Sequence, residues 1–133
     1  MDDIFVGRLM SSPVRTIDPE TPVDEAARMM AEEGIGSVAV VDDLDHLDGI
    51  LTSTDFVKAV ASGESMADTP ASAFMTEDVI TTTANTPIRD VADLMTEHGF
   101  HHVPVVEDEH VIGMITTTDL TVYLSHLEKP SPA

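Results

Sequence analysis

Residues 10–56 read MSSPVRTIDPETPVDEAARMMAEEGIGSVAVVDDLDHLDGILTSTDF, and residues 75–120 read MTEDVITTTANTPIRDVADLMTEHGFHHVPVVEDEHVIGMITTTDL. The second stretch repeats the first. A shift of 65 aligns Met10 with Met75, Thr16 with Thr81, Pro22 with Pro87, Gly34 with Gly99 and Val40 with Val105. A shift of 64 then aligns Gly49 with Gly113, Thr52 with Thr116 and Asp55 with Asp119. The slip falls in the polar stretch between Val41 and Gly49, where a turn absorbs one residue at little cost. A unit this short buries its own apolar faces poorly. Two copies packed together do better, so the duplication predicts one pseudo-symmetric domain and two related versions of any site.

Each copy reads β-α-β-β-α. In the first, Val14–Ile17 is a short strand. Thr21-Pro22 opens a helix, with Thr21 as N-cap, Pro22 at the first helical position and Asp24 three residues on from Thr21. Val23, Ala26, Ala27 and Met30 form its apolar face and Gly34 closes it. Val38–Val41 is a buried strand, residues 42–48 a polar turn and Ile50–Thr52 the next strand. A helix starts near Thr54 or Asp55 and stops at Gly63. In the second copy, Val79–Thr82 is a strand, and Thr86-Pro87 opens a helix with Ile88, Val91, Ala92 and Met95 inward and Gly99 at its end. Val103–Val106 and Val111–Thr116 are strands about an acidic turn, Glu107-Asp108-Glu109. A helix follows from Thr118 to Leu127. The fold class is α/β (α+β), as tandem β-α-β-β-α repeats with pseudo-two-fold symmetry. The expected boundaries are residues 5–63 for repeat 1, 64–74 for the linker, 75–127 for repeat 2 and 128–133 for a flexible tail.

Of the 133 residues, 42% are apolar, enough for one core. There is no Trp and one Tyr, so Val, Ile, Leu, Met and Ala must build it. Met29, Met30, Met75, Met95 and Met114 read as filler. With no Cys, disulfides and thiolate metal sites are excluded. Met1-Asp2-Asp3 lacks the basic start of a signal peptide and no apolar run spans a bilayer, so a soluble cytoplasmic protein is expected. The formal charge is −19, from 25 acidic and 6 basic residues spread along the chain. It disfavours nucleic acid and membranes as partners. It also implies self-repulsion that salt would screen, hence a halophilic source.

The strings GILTSTD at 49–55 and GMITTTD at 113–119 each run a strand into a helix. Free amides and the helix dipole there favour an anion. Thr and Ser hydroxyls add hydrogen bonds, and the Asp suits the paired hydroxyls of a ribose. That chemistry suggests a nucleotide; the plainer alternative is that Thr54, Asp55, Thr118 and Asp119 are helix caps.

With MSSP and MTED, EGIGSVAVVD and HGFHHVPVVE, and GILTSTD and GMITTTD in order, the chain resembles a pair of cystathionine-β-synthase (CBS) domains, or Bateman module, over roughly residues 5–127. The resemblance implies two adenosine-ligand clefts, each combining parts of both copies. One would use Thr52, Thr54 and Asp55 with Thr81, Thr82, Phe100, His101, His102 and Pro104. The other would use Thr116, Thr118 and Asp119 with Thr16, Ile17, Ile35, Gly36, Ser37 and Ala39. The final Asp would hold the ribose and the preceding Thr or Ser the phosphate. Ala39 departs from the family's frequent Pro, which Pro104 keeps. His101-His102 against Gly36-Ser37 implies unequal clefts, the one with Asp55 preferring the more phosphorylated ligand. Candidate ligands are AMP, ADP, ATP, S-adenosylmethionine and NAD; no cofactor is required.

The implied function is a regulatory ligand-binding module acting in trans on an effector protein, itself a homodimer formed through its helices. A nucleotide-hydrolysing enzyme is the alternative from another class, disfavoured because no Walker-type loop or activated nucleophile is present. A third is a structural interaction protein with empty clefts. His98, His101 and His102 share a spacing, but Gly99 breaks the helix that would align them, so no metal site is expected. Glu32-Glu33 and Asp42-Asp43 read as solvated acids with ordinary pKa values, and Arg15 and Arg89 as ion-pair partners more than phosphate ligands.

Overall fold

The structure is a computed structural model and describes residues 4–127; the tail expected at 128–133 lies outside them. In order come α1 (Val6–Leu9), β1 (Thr16–Ile17), α2 (Val23–Glu33), β2 (Ser37–Val41), β3 (Leu47–Thr52), α3 (Ser53–Ser62), a 3-10 turn (Ala71–Ala73), α4 (Ile88–His98), β4 (His102–Glu107), β5 (His110–Thr116) and α5 (Thr117–Leu127). The described chain forms two compact units. The first holds residues 14–79 and 109–111. The second holds 4–13, 80–108 and 112–127.

In the first unit, β1 pairs parallel with β2 and β2 pairs antiparallel with β3. All five residues of β2 are buried, as an apolar β-branched run at the centre of a sheet requires. Ile17, Ala26, Met30, Val38, Val40, Leu51 and Ala71 form the core, with Phe56, Phe74 and Met75 against it. In the second unit, β4 and β5 form a hairpin, and Val6, Val91, Met95, Val103, Val105 and Ile115 form the core. Met30, Met95 and Met114 are buried, as filler should be.

The strand expected at Val79–Thr82 does not form; only Thr82 bridges Val105. Pro104 is the cause. In the first unit the Ala39 N–H donates to Arg15 O at 3.1 Å and holds β1 to the sheet. Pro104, at the matching position, has no N–H to give, so only the bonds from Thr82 N to Pro104 O (3.0 Å) and Val106 N to Thr82 O (2.9 Å) remain.

Thr21 is not the N-cap of α2, and Thr86 is not that of α4. Pro22 and Pro87 hold those positions without a side-chain cap. Backbone carbonyls take over the first-turn amides: Val23 N donates to Thr69 O, Asp24 N to Met66 O and Ile88 N to Ile4 O. The Thr86 hydroxyl instead meets that of Thr83 at 2.9 Å. Gly34, Gly63 and Gly99 do close their helices in the left-handed region.

Two short elements lay outside the expectations. Val6–Leu9 is helical, with buried Val6 donating its N–H to Thr86 O at 2.9 Å. Ala71, 65 residues later and also buried, begins the matching 3-10 turn. The two hairpin turns explain the one-residue slip. Asp45 has φ 66° in the longer first turn, whereas Asp108 and Glu109, at φ 50° and 69°, make a tight two-residue turn in the second.

Candidate functional site

The helix after each GxxTxxD string starts one or two residues earlier than expected, at Ser53 and Thr117, so Thr52 and Thr116 stand at the cap and Asp55 and Asp119 three residues in. Each Asp reaches back to the cap amide: Thr52 N donates to Asp55 Oδ2 at 2.8 Å and Thr116 N to Asp119 Oδ2 at 2.9 Å. This is the reciprocal capping box, so the cap role weighed for Asp55 and Asp119 is real. Thr54 and Thr118 are exposed on the first turn and do not cap.

The two carboxylates then differ. Asp55 is 4% exposed. Its Oδ2 also accepts from the Thr52 hydroxyl at 3.2 Å, and its Oδ1 from the Thr76 hydroxyl at 3.3 Å. Both oxygens are engaged by the protein. Asp119 is half-buried, and its Oδ1 accepts no hydrogen bond from the described residues. One carboxylate is thus sealed into its cap while the other presents an open oxygen at a helix start.

The first unit gathers Thr16, Ile17, Ile35, Gly36, Ser37, Ala39, Thr52, Thr54 and Asp55. Thr16 pairs with Ala39 and Ser37 with Thr52, while Ser53 N donates to Gly36 O at 3.2 Å. The second gathers Thr81, Thr82, Phe100, His101, His102, Pro104, Thr116, Thr118 and Asp119. Thr82 meets Pro104, and Thr117 N donates to His101 O at 3.0 Å. Within its unit, the His101-His102 pair therefore stands beside the Asp119 helix start. Burial holds His102 below the usual imidazole range, helped by His101 and opposed by the charge of Asp119. At neutral pH a neutral ring flanks the open carboxylate.

Gly49 and Gly113 are also forced. A Cβ on Gly49 would lie 2.6 Å from Thr76 O, and one on Gly113 would lie 2.6 Å from Met10 Sδ. The Met-Thr and Met-Ser segments run against those strands, with Thr76 bridging Ile50 and Ser11 bridging Met114. Sequence reasoning aligned these residues without seeing that they touch, and so missed Thr76 as the residue that seals Asp55.

Asp42 corrects one expectation. The His46 amide bonded to its carboxylate, with a second from Leu44 and the nearby His46 and His110 rings, holds it below the usual carboxylate range despite the opposing cost of burial. Arg15 pairs with Glu33 at 2.8 Å, the ion-pair role expected of it. His98 stacks on Phe100 with ring centres 5.8 Å apart.

The model of the CBS domain matches residues 6–62 and again 71–126. The chain belongs to the CBS domain family. Its two CBS repeats resemble an uncharacterized 17.7 kDa protein of Acidianus ambivalens, 32% identical over 116 residues, covering 86% of this chain and 70% of that one. They also resemble part of an inosine-5'-monophosphate dehydrogenase of Halobacterium salinarum, 38% identical over 86% of this chain but only 22% of the enzyme. Among solved structures, the CBS domain pair of protein MJ0100, in complex with 5-methylthioadenosine and S-adenosyl-L-methionine, superposes with a TM-score of 0.88. It is 29% identical, with 94% of this chain and 98% of that one covered. Among the described residues no helix is long and apolar enough to cross a membrane.

Proposed function

We propose that this chain senses an adenosine-containing small molecule, holds its ribose at Asp119, and regulates a partner protein in trans. The open Asp119 Oδ1 carries the reading. A carboxylate oxygen with unused lone pairs accepts ribose hydroxyls directly, and the first turn of α5 adds the exposed Thr118 and helix amides. Asp55, with both oxygens already bonded inside the protein, serves as a structural cap. Ligand would bind by preference where the carboxylate is open.

The surrounding charge selects among adenosyl ligands. His102 is held neutral, so it offers a ring nitrogen and no counter-charge for phosphate. The chain carries a formal charge of −19. A triphosphate meets repulsion here at long range, whereas a neutral or cationic adenosyl compound does not. The MJ0100 domain pair, solved with 5-methylthioadenosine and S-adenosyl-L-methionine, supports that class. Binding acts on a partner only through different affinity for two arrangements of the protein, and a module of this kind can form a homodimer in which one arrangement is favoured.

A thermal-shift panel with 5-methylthioadenosine, S-adenosylmethionine, AMP, ATP and NAD, in dilute buffer where the charge is unscreened and again at high KCl, tests the reading. The expected result is a rise in melting temperature with the first two that exceeds the rise with ATP. A larger rise with ATP would overturn the proposed charge selection, and no rise with any of the five would overturn the ligand-binding reading itself.

A further inference from the structure

His46 and His110 occupy the same position in the two copies, 64 residues apart, as do Asp45 and Glu109. The four meet within the first unit, where residues 109–111 join residues 14–79. His46 and His110 form an antiparallel bridge, and their ring centres are 5.2 Å apart at an angle of 51°. Each imidazole faces the acid that precedes the other. His46 Nε2 is 3.9 Å from Glu109 Oε2, and His110 Nδ1 is 4.0 Å from Asp45 Oδ2. The duplication has produced a two-fold set of two imidazoles and two carboxylates.

These spacings are too long for hydrogen bonds. The first of them, between His46 Nε2 and Glu109 Oε2, suits a shared cation. At ligand distances of about 2.1 Å, two donors on a tetrahedral ion lie about 3.4 Å apart, a separation that a small side-chain rotation gives His46 Nε2 and Glu109 Oε2, and two imidazoles on such an ion have ring centres about 5 Å apart. His110 Nδ1 also lies 3.3 Å from the Asp45 carbonyl oxygen. As an Nδ1–H donor to that carbonyl it leaves Nε2 with its lone pair free, the arrangement that orients metal-binding histidines. Asp42 Oδ2, 3.8 Å from His46 Nδ1 and so not hydrogen-bonded to it, is within a small rotation of the matching outer place on the other ring.

We propose that His46, His110, Glu109 and Asp45 bind one divalent cation of the zinc type. Imidazole with carboxylate selects a transition metal over magnesium or calcium, which prefer oxygen alone. Among the described residues no three such side chains already stand in ligating positions. Binding draws them in by rotation, for which they are free: the side chains of His46, His110, Asp45 and Glu109 are 36%, 46%, 63% and 82% exposed. The bound ion ties the turn before β3 to the start of β5. This site is independent of the adenosyl ligand and of Asp119.

Calorimetric titration of the EDTA-treated full chain with ZnCl2, in KCl at neutral pH, tests the proposal. The expected result is one Zn2+ per chain, unaffected by excess Mg2+. The double variant H46Q/H110Q should bind at least about tenfold more weakly, and H126Q, at an exposed histidine of α5, should bind as the wild type does. Co2+ in place of Zn2+ should give the intense visible absorption of a four-coordinate ion, absent in H46Q/H110Q. Because His110 is exposed and His46 half-buried with neither side chain in the core, the metal-free melting temperature of H46Q/H110Q should match the wild type, which separates loss of ligands from loss of fold. Zn2+ binding of equal strength in H46Q/H110Q and the wild type, or no binding by the wild type, would overturn it.

Discussion

The Thr76 hydroxyl donates to Asp55 Oδ1 at 3.3 Å, and no such bond joins Ser11, its counterpart 65 residues earlier, to Asp119 among the described residues. That contact, with the Thr52 hydroxyl bond to Oδ2 and the deeper burial of Asp55, separates two matching helix starts. It completes the engagement of the Asp55 carboxylate and leaves its twin with an open oxygen.

Removing the two carboxylates should therefore cost stability unequally. Asp55→Ala leaves Thr52 N and the Thr52 and Thr76 hydroxyls without their acceptor in a buried place, which costs about 1–3 kcal/mol. Asp119→Ala removes a half-exposed box partner and costs about 0.5–1 kcal/mol. Urea denaturation of both variants measures this; equal losses would contradict the difference in burial.

Gly49→Ala should be the more damaging of the two strand glycine substitutions. Its Cβ meets the Thr76 carbonyl oxygen, a backbone atom, at 2.6 Å, and overpacking of that kind costs about 1–3 kcal/mol. The Cβ of Gly113→Ala meets the flexible Met10 Sδ first, with Ser11 O at 3.0 Å. The ranking of the two melting temperatures checks this, and Gly113→Ala falling lower would contradict it.

The fold was legible because its signals are local and occur twice. Apolar periodicity marks α2 and α4, β-branched runs mark β2 and β4, and Gly34 and Gly99 mark helix ends. All but one of the failures share a cause, dependence on a partner distant in sequence. The amides of Val23 and Asp24 find carbonyls at Thr69 and Met66, so Thr21 has nothing to cap. Val79–Thr82 has the composition of a strand but faces Pro104, which withholds a donor. α1 is four residues long, too short for a period to show. At the site, the paired Asp positions were legible, whereas the sealing of one by Thr76 required the tertiary contact.

Acid should weaken the fold through His102. Burial lowers its folded-state pKa below 6.5, so the unfolded chain takes up the proton first as pH falls. Its contribution is therefore complete above about pH 6.5 and is lost as pH drops from there toward the folded-state value. His102→Gln should flatten the fall in melting temperature over that window; an unchanged slope would exclude His102 as its source.

Molar KCl should raise the melting temperature. The 25 acidic residues face 6 basic ones, and screening relieves repulsion that favours the expanded chain. A melting temperature that stays flat from dilute buffer to molar KCl would show that the charge is neutralised in some other way.

The most direct test is calorimetric titration of S-adenosylmethionine into the wild type, Asp55→Ala and Asp119→Ala in high KCl. With the ribose held at Asp119, Asp119→Ala should lose at least about tenfold in affinity, one charge-assisted hydrogen bond or more. Asp55→Ala, if folded at the titration temperature, should stay near the wild-type value. Equal losses in both variants, or a loss confined to Asp55→Ala, would contradict the assignment of Asp119 as the ligand-holding carboxylate.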